Sequence, residues 1–401
     1  MGAGVVLSGS CLALEHQPWG VYLSEPAAIG LADPAKTAVD PVAVRRQLDA
    51  TRGRIAELEA LWGPYSPELT PALVTAAAEA VEYGVLDAAL ELYRWALHST
   101  RINEGLASQE QLPLLRAMLE VLRQQGDAVQ LAQRSDYFYR LLGRGGQPWD
   151  EQRLGASVAW LGVRAELLSD GVWRGREADA VFVIEHGTDL ADAVCEDVTW
   201  SEAWCAPVTL QVIKLLYLLD YRVDPLVVDQ FGVAQERFGA PYEDTLDQSP
   251  AERQLRSLER TSRSRGRGLL DRALAVSPDN LDLKVAKADW LWLNDRRQQA
   301  LALYTTLQQE AGVDFSTPQP LPSIPRIGRD PRLAKEWADL RISGRVSSRG
   351  RFEDVEVTGA EADEYSGFVR RQLRAIRCRP SLDVNGEPRE VAIDWPIRAL
   401  R

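Results

Sequence analysis

The chain has 401 residues, of which 45% are hydrophobic and 26% are charged, as in an ordinary soluble protein. This length exceeds what one compact core usually accommodates, so we expect two or more structural units. The net charge of −12 argues against general binding to nucleic acid or to an anionic membrane surface, because both need neutralising cations.

The N-terminal segment, residues 1–39, is predicted to be a truncated secretory signal followed by an irregular lead. Residues 2–14 (GAGVVLSGSCLAL) are small and apolar, and the chain turns polar at Glu15. The apolar run is too short to span a membrane and has no basic residues before it, and no other segment reaches transmembrane length. The prediction is a periplasmic or exported protein. The alternative is a disordered N terminus on a cytoplasmic protein.

Helical periodicity begins directly after this segment. Asp40 and Pro41 suit the N-cap and the first position of a helix, and Gly63 suits its end. The predicted buried face of this helix consists of Val44, Leu48, Ile55, Leu58 and Trp62.

The stretch 70–97 predicts a helical hairpin. Small apolar residues recur on both sides of Gly84, and Ala89, Tyr93 and Ala96 follow at positions i, i+4 and i+7. Two such short helices cannot bury their apolar side alone, so neighbouring hairpins must stack on them. These residues resemble the tetratricopeptide repeat, and the preceding GPYSPE segment is similar to the longer variety of kinesin light chains. The resemblance implies a superhelical array of antiparallel helix pairs.

A second hairpin of the same kind is predicted around Gly126. Its helices carry apolar residues at positions 115, 118, 119 and 122 and then at positions 131, 138 and 141. The two breaker glycines are 42 residues apart, which exceeds the repeat's usual length of about 34. The connector HSTRINEGLASQEQ accounts for the extra length. Residues 152–239 predict further antiparallel helices, and the densely apolar residues 210–219 predict a helix buried on most sides.

The cysteines do not form a recognisable metal or redox motif. None of Cys11, Cys195, Cys205 and Cys378 belongs to a CxxC pair. Cys195 and Cys205 could form a disulfide if the chain is exported. Two buried thiols in a helical array are the alternative.

Seven arginines lie between Arg253 and Arg272. Such a run could bind phosphate or RNA. It contains no aromatic residue for base stacking, and acidic residues interrupt it. The prediction is a solvated helix face or an exposed loop.

The repeat pattern returns strongly after the arginine run. Ala273 and Pro278 stand where the repeat places its last alanine and its terminal proline, and Ala300 and Tyr304 follow in register. Residues 295–296 replace the usual glycine turn. This segment completes a predicted helical repeat domain that spans residues 40–314.

Proline density marks a boundary after the predicted array. Residues 315–331 contain five prolines and one glycine, which disfavour both helix and central strand. The prediction is a Pro-rich linker over residues 315–334.

The C-terminal residues, 335–401, change from helical to alternating periodicity. They predict the order strand, strand, helix, strand in a small α+β domain. This order resembles the C-terminal domain of TonB energy transducers, with matches at GRVSSRGRFEDVEV, at residues 375–380 (AIRCRP) and at NGEP; Cys378 takes the place of an aromatic residue. The resemblance implies a periplasmic domain that pairs a strand edge with a partner's extended segment. Powered transport is not expected, because a transducer's membrane helix and long spacer have no counterpart.

The sequence predicts no catalytic, cofactor-binding or metal-binding residue. His16, His98 and His186 stand alone, and HExxH, GxSxG and GxxxxGK motifs do not occur. The glycines of residues 143–146 follow a helix, which predicts a loop and not a dinucleotide site.

Together these features predict a non-enzymatic scaffold or adaptor of the bacterial cell envelope. The helical body would bind a peptide or helix of a protein partner, and the C-terminal sheet edge would bind an extended strand. One alternative is an enzyme-associated domain that positions a substrate, which clustered carboxylates with a raised pKa would favour. Others are a TonB-like component of outer-membrane transport, and a small domain that only caps the array.

Overall fold

A computed structural model shows a mostly helical protein with small antiparallel sheets towards its C terminus. It describes residues 41–125, 127–169, 177–220, 250–321, 327–328, 337–359, 362–375 and 377–400. The predicted N-terminal segment, with its signal and Cys11, lies outside the described residues. The mostly α class with a small α+β part is confirmed, whereas the tetratricopeptide-like superhelix stays a prediction.

The helices are α1 (Pro41–Trp62), α2 (Leu69–Glu82), α3 (Leu86–Glu104), α4 (Leu112–Gln125), α5 (Ala128–Leu141), α6 (Glu151–Ser169), α7 (Glu177–Glu196), α8 (Ser201–Asp220), α9 (Pro250–Val276), α10 (Leu281–Leu293), α11 (Arg297–Ala311) and α12 (Ala362–Ala375), with a short 3-10 turn at Gln109–Gln111. The strands are β1 (Gln319–Leu321), β2 (Ile327–Gly328), β3 (Trp337–Val346), β4 (Phe352–Thr358), β5 (Arg377–Arg379), β6 (Ser381–Leu382), β7 (Pro388–Arg389) and β8 (Val391–Leu400).

These elements divide into two compact units whose boundary falls inside α7, between Val183 and Ile184. The N-terminal unit contains α1 to α6 and the start of α7. The C-terminal unit contains the rest of α7, the later helices and the sheets.

The predicted hairpin at residues 70–97 is present as α2 and α3 in the N-terminal unit. Gly84 forms the turn with a φ of +72°, a conformation that favours glycine. Ala89, Tyr93 and Ala96 are all buried, and the small side chains of α2 face them. Small residues on both helices let the two backbones approach closely, which confirms the predicted antiparallel pair.

The second hairpin, α4 and α5, shares one hydrophobic core with the first. This core runs from Ile55 of α1 through both hairpins to Leu167 of α6, so the hairpins bury their apolar faces against each other. The N-cap of α5 is Asp127, whose carboxylate accepts a hydrogen bond from the Gln130 amide at 3.0 Å. The predicted breaker Gly126 lies outside the described residues.

The prediction for α1 is confirmed in part. The helix begins at Pro41 and ends before Gly63, and Ile55 is buried. The prediction that Trp62 lies on the buried face is wrong. The helix ends at this residue and the chain turns at Gly63 (φ +87°), which leaves Trp62 48% exposed. The side chains of Val44 and Leu48 lie outside the described set.

A disulfide between Cys195 and Cys205 joins the end of α7 to the start of α8. The apolar residues of α8 lie in the core, as predicted: Val212, Ile213, Leu215, Leu216 and Leu219 are all buried. In the part of the chain that the structure describes, α8 alone is long and apolar enough to cross a membrane, and 56% of its apolar window is buried inside the protein. Such burial is also typical of a soluble protein's core helix.

The C-terminal sheet has the strand order β2-β8-β3-β4, and β3 pairs antiparallel with both β8 and β4. The helix α12 covers one face, where Val369 and Leu373 contact Leu340, Ile342 and Val357. Strands β3 and β4, helix α12 and strand β8 therefore follow the predicted order strand, strand, helix, strand. The side chain of Phe368 and the whole of Ile376, both predicted to be apolar positions of the helix, lie outside the described set.

The start of the predicted linker is packed into the C-terminal unit. Phe315 is buried, and β1 pairs antiparallel with β5. The backbone of Pro320 cannot donate a hydrogen bond, but a two-stranded pairing tolerates this loss better than a central strand does. Residues 315–321 are therefore structural rather than a free spacer, while 322–326 and 329–336 lie outside the described residues.

Candidate functional site

A cleft in the N-terminal unit lies between α5, α6 and the first turns of α7. It encloses about 380 Å³. Helical spacing explains how each helix contributes, because residues three or four apart share a face. The lining residues are Gln133, Asp136, Tyr139 and Arg140 on α5, Arg144 just after α5, Trp160 and Arg164 on α6, and Asp179, Phe182 and Val183 on α7.

Aromatic rings form one wall of this cleft. The rings of Tyr139 and Trp160 are stacked with centroids 4.5 Å apart, and Phe182 meets Trp160 edge-on at 6.4 Å. Tyr139 and Trp160 are buried, whereas Phe182 is 52% exposed and lies at the mouth. Burial raises the pKa of Tyr139 to about 12, so its phenol stays protonated at neutral pH. The wall is therefore apolar and uncharged.

An ion pair lies against this wall. Asp136 accepts a hydrogen bond from the Trp160 indole nitrogen at 2.7 Å and forms an ion pair with Arg164. The Arg164 guanidinium lies 5.5 Å from the centre of the Trp160 ring. Within the described residues, the buried Nε of Arg164 has no hydrogen-bond partner. Asp136 therefore contacts both Trp160 and Arg164, and the Nε of Arg164 retains a donor.

The rim carries further positive charge. Arg140 and Arg144 are exposed, and Arg144 adopts a φ of +54° just after α5. The Arg144 amide donates to the Tyr139 carbonyl at 3.0 Å, which folds residues 143–146 back over the end of α5. This confirms the predicted loop. The cleft thus offers an apolar wall beside guanidinium groups, an arrangement suited to an apolar side chain with an anionic neighbour.

A second, smaller cleft of about 250 Å³ lies between α1 and α3. Ile55, Leu92 and Trp95 line it together with Glu59 and Glu91. The Trp95 indole nitrogen already donates to the Pro64 carbonyl at 2.8 Å, so this ring has a structural role.

A buried charged cluster holds the C-terminal unit together. The Arg379 guanidinium of β5 donates to both carboxylate oxygens of Asp289 on α10, at 2.8 and 2.7 Å, and to Gln319 of β1 at 2.6 Å. The Tyr304 hydroxyl of α11 donates to Asp289 at 2.7 Å. Burial, and then the charge of Asp289, raise the pKa of Tyr304 well above its usual value. These hydrogen bonds join α10, α11, β1 and β5.

The short segment around β5 rests on the helices α10 and α11. The Trp292 indole nitrogen donates to the Cys378 carbonyl at 2.8 Å, and the Gln308 amide donates to the Asp383 carbonyl at 2.7 Å. Cys378 is fully buried beside Val346 and Ile393 of the sheet, and burial raises the pKa of its thiol well above the usual value. Cys378, which takes the place of an aromatic residue in the resemblance to the TonB C-terminal domain, is thus closely packed.

The other features singled out in the sequence are separate from the cleft. All seven arginines of the run 253–272 are exposed on α9, which confirms the predicted solvated helix face. His98 is exposed and meets Tyr65 edge-on, and His186 is half-buried on α7. Across the described ranges, no group of three or more His, Cys, Asp or Glu residues is placed to hold a metal ion.

No protein-family model matches this chain, and no curated protein matches it. Its class is therefore defined by its own architecture, a mostly helical protein with small antiparallel sheets near the C terminus.

Proposed function

We propose that this protein is a non-enzymatic scaffold or adaptor that binds a peptide segment of a partner protein. The observation that carries the proposal is the cleft of α5 to α7, where Trp160 and Phe182 form an apolar wall beside Arg140, Arg144 and Arg164. A cleft of this size accommodates one or two side chains, which suits an anchor residue of a peptide. The preferred peptide carries a large apolar residue next to an acidic one.

The surroundings of Asp136 make peptide binding preferable to the enzyme-associated alternative. A general base needs a carboxylate that is free to accept a proton from a substrate. Asp136 already accepts from Trp160 and pairs with Arg164, so its role is to orient these two side chains.

The cleft is also preferable to the sheet edge as the peptide site. The end strand β4 presents Glu353, Asp354 and Glu356 to solvent, and the pairing of β3 with β4 has a register irregularity at Gly344. Charged side chains and bulges protect an edge strand against pairing with another chain. The packing of residues 377–389 on α10 and α11 favours the alternative in which the small domain caps the last helices.

The peptide proposal predicts that two exposed cleft residues control affinity. A library of random 12-residue peptides displayed on phage would be selected against the full chain, and the enriched peptides titrated by calorimetry. Phe182→Ala and Arg144→Gln should each weaken binding about tenfold, because each removes an anchor contact worth about 1.4 kcal/mol. Leu106→Ala and Arg54→Gln change exposed residues outside the cleft and should leave the affinity unchanged. Selected peptides that bind all four variants as tightly as the wild type would refute this site.

The tetratricopeptide-like array, the TonB-like domain and the cell envelope remain parts of this proposal. The Cys195–Cys205 pairing supports an oxidising compartment, since disulfides persist mainly in exported proteins. Mass spectrometry of the mature N terminus tests export directly: loss of about the first 14 residues supports it, and an intact Met1 on a cytosolic product contradicts it.

The disulfide should contribute measurably to stability. It closes a loop between residues ten positions apart, so reduction should lower the free energy of unfolding of the C-terminal unit by about 2–3 kcal/mol. Urea unfolding with and without dithiothreitol measures the difference. A Cys195→Ser/Cys205→Ser variant should be insensitive to the reductant. Labelling of Cys195 and Cys205 by a thiol reagent in denatured, non-reduced protein would show that the bond does not form.

A further inference from the structure

The exposed face of α9 carries an unbroken row of arginines. The sequence separations between the five arginines of this row alternate between three and four residues, which places these five on one side of the helix. The opposite side is the buried stripe of α9, which includes Leu255, Leu258 and Leu269. At the rise of an α-helix the row is about 21 Å long. The row consists of Arg253, Arg256, Arg260, Arg263 and Arg267, all exposed.

The helix α9 is held to the protein from the side opposite this row. Gly266 allows the Trp290 ring to lie against the α9 backbone, and the Trp290 nitrogen donates to the Arg263 carbonyl at 3.1 Å. Like charges three or four residues apart destabilise a helix. Glu252 and Glu259 precede Arg256 and Arg263 by four residues and offset part of this repulsion. The row nevertheless presents five arginines along one exposed side of the helix.

Further charged groups lie beside the row, near Arg263. Asp295, in the turn between α10 and α11, has a lowered pKa, first because Arg377 donates a hydrogen bond to it and further because of the nearby charges of Arg297 and Arg263. Two guanidinium groups outside the row, those of Arg377 and Arg297, therefore contact one carboxylate. The row is part of a positive surface on a chain that is acidic as a whole.

We propose that this row binds an acidic α-helix of a partner protein. A helix with carboxylates at alternating separations of three and four residues presents them at the same pitch as the arginines, so each carboxylate meets a guanidinium. No aromatic residue lies between Arg253 and Arg272 to stack nucleic-acid bases. The large apolar residues of α9 are buried or half-buried, so no side chain of this helix is available for insertion into a bilayer. This site lies outside the cleft of the proposed function and does not depend on it.

The test uses the full chain and a fluorescein-labelled, 21-residue helical peptide with glutamates in one row at the 3-4 spacing. Fluorescence anisotropy should show binding that weakens as salt increases. Arg256→Gln/Arg260→Gln should weaken it about tenfold through the loss of two exposed charge pairs. The matched control, Arg265→Gln/Arg349→Gln, removes two exposed arginines outside the row and should retain the wild-type affinity. Thermal melts by circular dichroism confirm that both variants are folded.

Three outcomes overturn the proposal. The first concerns a peptide of the same composition whose glutamates are distributed around the helix. This peptide should bind more weakly, and equal binding would show that the spacing of the glutamates is not recognised. Equal affinities of the two double variants would place the contact elsewhere. Tighter binding of a 20-nucleotide oligothymidine or of phosphatidylglycerol vesicles than of the peptide would assign the row to nucleic acid or to a membrane surface. None of these results affects the peptide cleft, whose variants are tested separately.

Discussion

Replacement of Arg379 with methionine should lower the free energy of unfolding of the C-terminal unit by about 3–5 kcal/mol. The guanidinium makes two hydrogen bonds to Asp289, which has no solvent exposure. Methionine retains an unbranched apolar stem in place of that of arginine and removes the guanidinium, so the loss is mainly electrostatic. It leaves a buried carboxylate whose charge is no longer balanced, although the Tyr304 hydroxyl still donates to it. Urea unfolding followed by tryptophan fluorescence reports on this unit, because Trp292 lies on the same helix as Asp289.

Companion variants separate the charge from the packing. Tyr304→Phe keeps the ring and removes one neutral donor, so it should cost only about 1 kcal/mol. Asp289→Leu/Arg379→Met removes both charges and should recover most of the stability lost in Arg379→Met. A loss below about 1 kcal/mol for Arg379→Met, or no recovery in the double variant, would show that the ion pair is not what joins β5 to α10.

Helix pairs could be predicted from the sequence because their signal is local. Ala89, Tyr93 and Ala96 recur at helical spacing and are buried as the spacing requires. The arginines of α9 interleave with a leucine stripe, so the exposed face was also readable in the sequence. Trp62 also lies at helical spacing but is exposed. The periodicity of a sequence does not show at which residue neighbouring elements cease to cover the end of a helix.

The cleft and the charged cluster depend on long-range contacts and could not be predicted. Asp136 and Arg164 each share a helix face with an aromatic residue, but nothing local indicates that α5, α6 and α7 converge. Asp289 and Arg379 are 90 residues apart, and Arg379 belongs to an ordinary basic stretch. Their only local signal is Asp289 itself, an acidic residue within the apolar segment ADWLWL, where an unpaired charge would be costly. The packed start of the predicted linker has the same origin, since Phe315 is buried by elements distant in sequence.

Gly350→Ala should destabilise the C-terminal unit by about 3 kcal/mol or more. Gly350 has a φ of +70°, and its amide and carbonyl bond to the Ser347 carbonyl and the Cys378 amide, at 2.8 and 2.7 Å. A Cβ at this position would lie 2.1 Å from the Cys378 carbonyl oxygen and 3.2 Å from the Trp292 indole nitrogen. The backbone of β5 would have to move, and the hydrogen bond between Trp292 and Cys378 would be lost with it.

Gly312→Ala is the matched control, because it separates backbone conformation from contact. Gly312 belongs to the same unit and has a φ of +67°, but among the described residues no atom lies within 4 Å of the position that an alanine methyl group would occupy. Its replacement should therefore cost only the strain of a left-handed alanine, about 1 kcal/mol. The difference between the two variants in urea unfolding measures how tightly the turn between β3 and β4 lies on β5. Equal losses would mean that this close approach does not exist, and that the sheet is not held against α10 by way of Cys378.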